Sequence, residues 1–145
     1  MAVTAKMYGK FLLSLANKEV DLDSDTLKVM LCTSTYTPDQ DTHQYKSSVT
    51  NEVSGTGDTA TGQALTSVTV AYNAGTNTMT LDSADPSWTT STITARYAVF
   101  YDSTPATDAT RPLISYVDFG ADVISTAGTF TITLDPAGIA TITAA

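Results

Sequence analysis

The chain has 145 residues, a net charge of −8 at pH 7 and an isoelectric point near 4.2, a size at which one domain buries enough surface to fold without disulfides or metals. Seven Lys and Arg residues stand against 15 Asp and Glu, which argues against a nucleic-acid binder, because affinity for phosphate backbones comes from basic side chains that release counterions. Ser and Thr make up more than a quarter of the residues while Glu occurs only at positions 19 and 52, a balance that favours strands and turns over helices.

After MAVTAK the apolar stretch FLLSLA is too short for the core of a secretory signal. No run approaches the roughly 18 to 20 apolar residues that span a bilayer. The expectation is a protein made in a cytoplasm without a membrane anchor. Residues 4–18 read as the one amphipathic helix: Met7, Phe11, Leu12 and Leu15 recur at helical spacing, Lys6, Lys10 and Ser14 fall on another face, and Thr4 is a candidate N-cap. The apolar stripe is expected to pack on a sheet.

The segment DLDSDTLKVMLCTS leads from an acidic approach into a strand whose two faces, Leu27, Val29 and Leu31 against Lys28, Met30 and Cys32, predict partial burial on both sides. The lone Cys32 reads as a small buried hydrophobe, since nothing electropositive surrounds it. Residues 36–63 turn polar and form a long irregular loop with one short helical turn around residues 47–53. Long ordered loops usually serve a purpose, so this loop is the expected contact region. Alternation returns at residues 65–72, and AGTN makes a turn into a strand beginning at Thr78. ADPSW reads as a bend with Trp88 anchored in the core. ITARYAVFYD and PLISYVDFG form a central buried hairpin, followed by GTFTITLD and GIATIT on either side of PAG. Seven or eight short strands after one helix predict a single mainly β domain, an antiparallel sandwich or barrel.

The chemistry-bearing residues fall short of any catalytic pattern. Asp21, Asp23 and Asp25 have the alternate spacing that opens a calcium loop, yet the sixth and twelfth positions are Thr26 and Cys32 where an EF-hand needs Gly and an acid. Asp39, Asp41 and His43 alternate similarly, but a zinc site would need ligands from elsewhere. SGTGDTATG lacks the Lys-Ser/Thr ending of a phosphate loop and opens into a strand, so it reads as a flexible connection or assembly loop. Arg96 and Arg111, set among apolar residues with Asp102, Asp108 and Asp118 nearby in sequence, are expected in structural ion pairs. Asp102 and Asp118 on adjacent strands would be the pair for a small glycan hydrolase, which needs two carboxylates facing across a cleft.

The opening AKMYGKFLLSLANKEVDLDSDTLKVMLCTSTYTPDQDTHQY, the middle NEVSGTGDTATGQAL and the block ITARYAVFYDSTPATDATRPLISYVDFG resemble a family of small virion proteins encoded among the structural genes of tailed bacteriophages, especially those of actinobacteria. The resemblance covers nearly the whole chain. It implies a non-enzymatic head decoration protein, with no catalytic residue and no cofactor, that binds the major capsid protein on the outer surface of the virion after assembly in the host cytoplasm. It also implies a homo-oligomer, with a trimer at local threefold positions as one form, and no contact with nucleic acid or membrane. Tyr36, His43, Tyr45 and Asp58 are then the expected partner-contact residues. An aromatic stands in the family pattern where this chain has Asp58, so a contact there would be weakened or retuned. The alternative is a tail or tail-tip module touching the host surface, with Tyr36, Tyr45 and Trp88 as glycan platforms.

Overall fold

A computed structural model describes residues 2–145. Eight strands form two antiparallel sheets: β1 (Thr4–Met7), β2 (Leu27–Cys32), β3 (Gln63–Ala64), β6 (Ser87–Asp102) and β7 (Leu113–Thr131) in the order β1-β7-β6-β2-β3, and β4 (Thr69–Asn73), β5 (Thr78–Asp82) and β8 (Ala140–Thr143) in the order β4-β5-β8. The helix α1 (Gly9–Ala16) lies between β1 and β2. The sandwich-like, mainly β architecture is the one expected from the strand count.

The expected central hairpin is the spine. β6 and β7 run 16 and 19 residues, so the strands are not all short. The bend expected at ADPSW ends before Trp88, which lies within β6, and GTFT belongs to β7 rather than to a strand of its own. Trp88 is nonetheless the core anchor foreseen, buried with its ring edge-on to Phe130 at 5.8 Å. The hairpin survives this length because it bends. Ala95 pairs with Val123 and Tyr97 with Asp118, so residues 119–122 bulge out opposite Arg96. Gly120, at φ +80, takes the left-handed conformation that the bulge requires, and its N–H donates to Asp118 Oδ1 at 2.7 Å.

Both faces of the five-stranded sheet are covered. On one, Val29, Leu31, Ala98, Phe100 and Ile114 join Phe11 from α1 and Leu81 from the second sheet in the main core. On the other, Met30, Cys32, Val99, Tyr101, Leu113 and Tyr116 pack under Tyr8 and Tyr36. Alternate residues of one strand thus enter different cores, which is why LKVMLC and ARYAVFY read as nearly continuous apolar runs. Two-sided burial of β2 matches the sequence reading. The Cys32 thiol has no exposed surface, and burial pushes its pKa up to about 12.

The N-terminal segment departs from expectation. Residues 4–7 form β1, with Thr4 opposite Asp118 and Met7 opposite Ser115, and the helix is only the eight residues Gly9–Ala16, its N-cap Tyr8 rather than Thr4 and without a side-chain cap. The free edge of β7 supplies backbone partners to residues 4–7 that an isolated first helical turn lacks. The buried stripe also shifts: Phe11 and Ser14 face inward while Leu12 and Leu13 are 46% and 50% exposed.

Candidate partner-contact surface

The loop expected to make contacts is irregular, as its composition suggests, but it is tightly seated. Isolated bridges tie Glu52 to Cys32, Tyr45 to Pro112 and Thr56 to Thr92, and the short helical turn falls at Lys46–Ser48. SGTGDTATG, read as a flexible connection or assembly loop, lies against the sheet rather than standing free of it. A Cβ on Gly57 would come within 2.8 Å of Ser91 Cα, and one on Gly62 would run into the Val29 carbonyl, so these glycines let the backbone lie flat on β6 and β2.

Of the four contact candidates, Tyr36 is removed by burial. Only 1% of its surface is exposed, and its ring stacks on His43 and meets Tyr97 edge-on. Its hydroxyl bridges Tyr8 Oη at 2.9 Å and His43 Nδ1 at 3.0 Å. The Asp39 N–H donates to the same Nδ1 at 3.3 Å, so the Tyr36 hydroxyl and the loop backbone converge on one ring nitrogen. Tyr36 is a keystone under the loop, and its apolar ring follows the need to roof the second core. Burial pushes its phenol up to about 12.

His43 and Tyr45 are half-buried. The Tyr45 hydroxyl donates to the Glu19 carboxylate at 3.1 Å, which pins the loop to the end of α1. Asp58 is also half-buried, and desolvation raises its pKa. Asp39, Asp41 and Thr42 are among the side chains this loop does offer to solvent. Among the described residues no cluster of three or more His, Cys, Asp and Glu side chains could hold a metal ion.

Sequence reading missed Lys46, which is 7% exposed yet charged. Its ammonium donates to Asp108 Oδ2 at 2.9 Å and lies 5.7 Å from the Tyr101 ring centre. Arg111 holds the other oxygen of Asp108 at 2.9 Å, and Arg96 grips Asp118 through two bonds of 2.7 and 3.3 Å. Both arginines thus make the ion pairs expected of them. Those bonds hold the Asp118 and Asp108 carboxyls below the usual carboxylate range, Arg96 acting on Asp118 and Lys46 chiefly on Asp108. Asp102 and Asp118 do not face one another: Asp118 lies opposite Tyr97, five positions along β6 from Asp102, or about 16 Å at strand rise. The pairing needed for a two-carboxylate hydrolase is absent there.

Asp102 has a different partner. It is fully buried, its Oδ1 accepts the Thr104 N–H at 2.9 Å, and its Oδ2 has no hydrogen-bond partner among protein donors. Burial, opposed by the Thr104 bond and reinforced by the Asp25 carboxyl, pushes its pKa up to about 6 from the ordinary 3.8. A raised acid favours the fold while protonated, so its contribution is complete below about pH 4 and is lost as pH rises through about 6. A rise of that size corresponds to at most about 3 kcal/mol, and relaxation of the surroundings reduces it to about 1–2 kcal/mol. Asp102→Asn keeps the acceptor for Thr104 and gives Asp25 a donor. The variant should be more stable than the parent by about 1–2 kcal/mol at pH 8 and show a flatter stability profile between pH 4 and 7. Urea unfolding across that range is the measurement, and an unchanged profile would remove the buried Asp102 carboxyl as its cause.

A concavity of about 820 Å³ lies between the free edges of β1 and β8 and is lined by Met7, Val117, Phe119, Ile132, Leu134 and Ile139. Apolar side chains also stand uncovered elsewhere: Leu12 and Leu13 on α1, Val70 and Tyr72 on β4, Val123 and Ile124 on β7. No helix among the described residues is long and apolar enough to cross a membrane. Compared with protein-family models, with curated proteins and with solved structures, the chain has no match.

Proposed function

We propose that the protein is a non-enzymatic structural component of a tailed-phage virion, a decoration protein that binds the major capsid protein on the outer shell and stiffens it. Likeness to small virion proteins supports the reading, and one observation carries it beyond likeness. A chain of net charge −8 leaves apolar side chains uncovered on α1, β4 and β7, and leaves sheet edges unpaired. Exposed apolar patches and open edges mark surfaces that meet other chains. Many copies bound through several modest contacts each would hold by avidity, and a spacer with two cored faces transmits load without deforming. Contacts then fall on these apolar edges and on Asp39, Asp41 and Thr42, rather than on Tyr36.

The test is to mix the purified protein with heads and tails from a parent phage lacking it and image them by electron cryomicroscopy. Symmetric density at hundreds of copies over the head lattice is the expected result. Density confined to the tail would replace the proposal with the tail or tail-tip reading, and no density on either would overturn both.

A further inference from the structure

The three-stranded sheet is amphipathic across its whole width. Register sets Ala140, Leu81 and Val70 in one row and Ile142, Met79 and Tyr72 in the next, while Thr141, Thr80 and Ala71 lie on the opposite face. Leu81 is fully buried, yet Val70 is 39% and Tyr72 61% exposed. The apolar face therefore runs out of the core onto the edge strand and stays uncovered there. Every residue of β4 is exposed, and its sequence TVAYN carries no charge, no Pro and no Gly, with unbroken pairing to β5. Natural edge strands normally carry one of those devices against pairing with another chain.

We propose that β4 is a homodimerisation edge, pairing antiparallel with β4 of a second copy across a two-fold axis at Ala71. This edge fits a copy of itself. With Ala71 opposite its own mate, Val70 lies opposite Tyr72 of the second copy and Thr69 opposite Asn73, each pair occurring twice. Aromatic with β-branched is a favoured cross-strand pair, and a self-complementary patch is what two-fold association requires. Only even shifts keep the apolar face on one side, and a shift of two leaves two residues of each strand unpaired. The Ala71 register is thus the one with full overlap. Beside Val70, Leu15, Val20 and Leu22 form a shallow apolar groove rimmed by Lys18, Asp21 and Asp23, where the Tyr72 ring of the second copy would seat. Two acidic chains meet here on an uncharged strand. The result is one continuous six-stranded sheet, and it does not rest on the virion reading.

Sedimentation over a wide concentration range should show a species of twice the 15.2 kDa chain mass. Ala71→Lys sets two ammonium groups opposite each other on the axis and should weaken association about tenfold. Facing residues of an antiparallel pair lie about 4.5–5.5 Å apart between Cα atoms, within disulfide range, so Ala71→Cys should form a disulfide-linked dimer under mild oxidation. Thr141→Cys, exposed on the other outer strand β8, should cross-link far more slowly, and the buried Cys32 takes no part. Both substitutions are at exposed positions, and circular dichroism checks that each variant folds. A monomer at all concentrations, equal cross-linking from positions 71 and 141, or a dimer that Ala71→Lys leaves intact would each overturn the proposal.

Discussion

Gly62→Ala should cost about 3 kcal/mol, one of the largest losses available from a single added methyl group. Gly62 closes the polar loop just before β3, with φ +84 and its N–H donating to the Thr59 carbonyl at 2.8 Å. A non-glycine residue in that left-handed region already costs about 1–2 kcal/mol. The added carbon would also meet the backbone of Val29, whose carbonyl carbon would lie 2.8 Å away, and the Met30 Cβ at 2.9 Å. Val29 is a central residue of β2, paired with Phe100 on one side and Gln63 on the other, so the clash cannot be relieved by moving a flexible side chain. The loop must lift, and the bond from the Tyr101 hydroxyl to the Thr61 carbonyl lifts with it. Urea unfolding should show the midpoint falling with little change in slope. Gly75→Ala is the control: it lies in the exposed β4–β5 turn, where a Cβ meets only the Asn73 side chain at 3.2 Å, and it should cost well under 1 kcal/mol. Equal losses from the two would mean that the loop is not seated on β2.

Strands with a pattern of their own were legible, and the seating of the loop was not. LKVMLC and ARYAVFY announce two-sided burial because their apolar runs are nearly continuous rather than alternating, and the AGTN turn follows from Gly and Asn between alternating runs. Residues 4–7 misled because TAKM suits either a helix or a strand, and only the vacant edge of β7, distant in sequence, decides between them. SGTGDTATG misled for a related reason. Glycine permits flexibility and close approach equally, and composition does not say whether a neighbouring strand lies within 3 Å.

The site residues divide in the same way. Arg96 and Arg111 could be paired from sequence because a guanidinium in an apolar strand needs a carboxylate, and candidates stood within 22 positions. Tyr36 looked like a contact because it sits in a polar loop, yet a loop that roofs a core must carry its own apolar residue. The nearby apolar Val49 packs against the same cluster. Lys46 gave no signal, since nothing in YKSS foretells an acid 62 residues away. The β4 edge was visible as alternation, but its exposure depends on which strand ends the sheet, which periodicity leaves open.

Phe100→Ala should lower stability by about 3–5 kcal/mol, the largest single loss expected. Phe100 is 1% exposed in the centre of β6, flanked by Val29 on β2 and Ser115 on β7, and its ring enters the core shared with the second sheet. Removing the ring opens a cavity that the surroundings cannot close, because the opposite face of the same sheet is held by Tyr8, Tyr36 and Tyr101. Two-sided burial has a second consequence. Where both faces are apolar, sliding β2 by one residue past β6 exchanges Leu31 for Met30 or Cys32 at little hydrophobic cost, so the apolar pattern alone does not fix register. Polar fasteners do that here: the Ser103 hydroxyl donating to the Thr26 carbonyl, the Thr26 N–H donating to the Thr104 hydroxyl, and the Tyr101 bond to the loop. Phe100→Ala leaves all three in place, so the variant should unfold in one transition with its native register kept, only earlier in urea. Trp88, buried and distant from the substitution in sequence, reports unfolding by fluorescence. Phe100→Leu, which keeps most of the volume, should lose about 1–1.5 kcal/mol and guards against a variant that fails to fold. A loss below 1 kcal/mol for Phe100→Ala would show that the two sheets do not close over a common core at this strand.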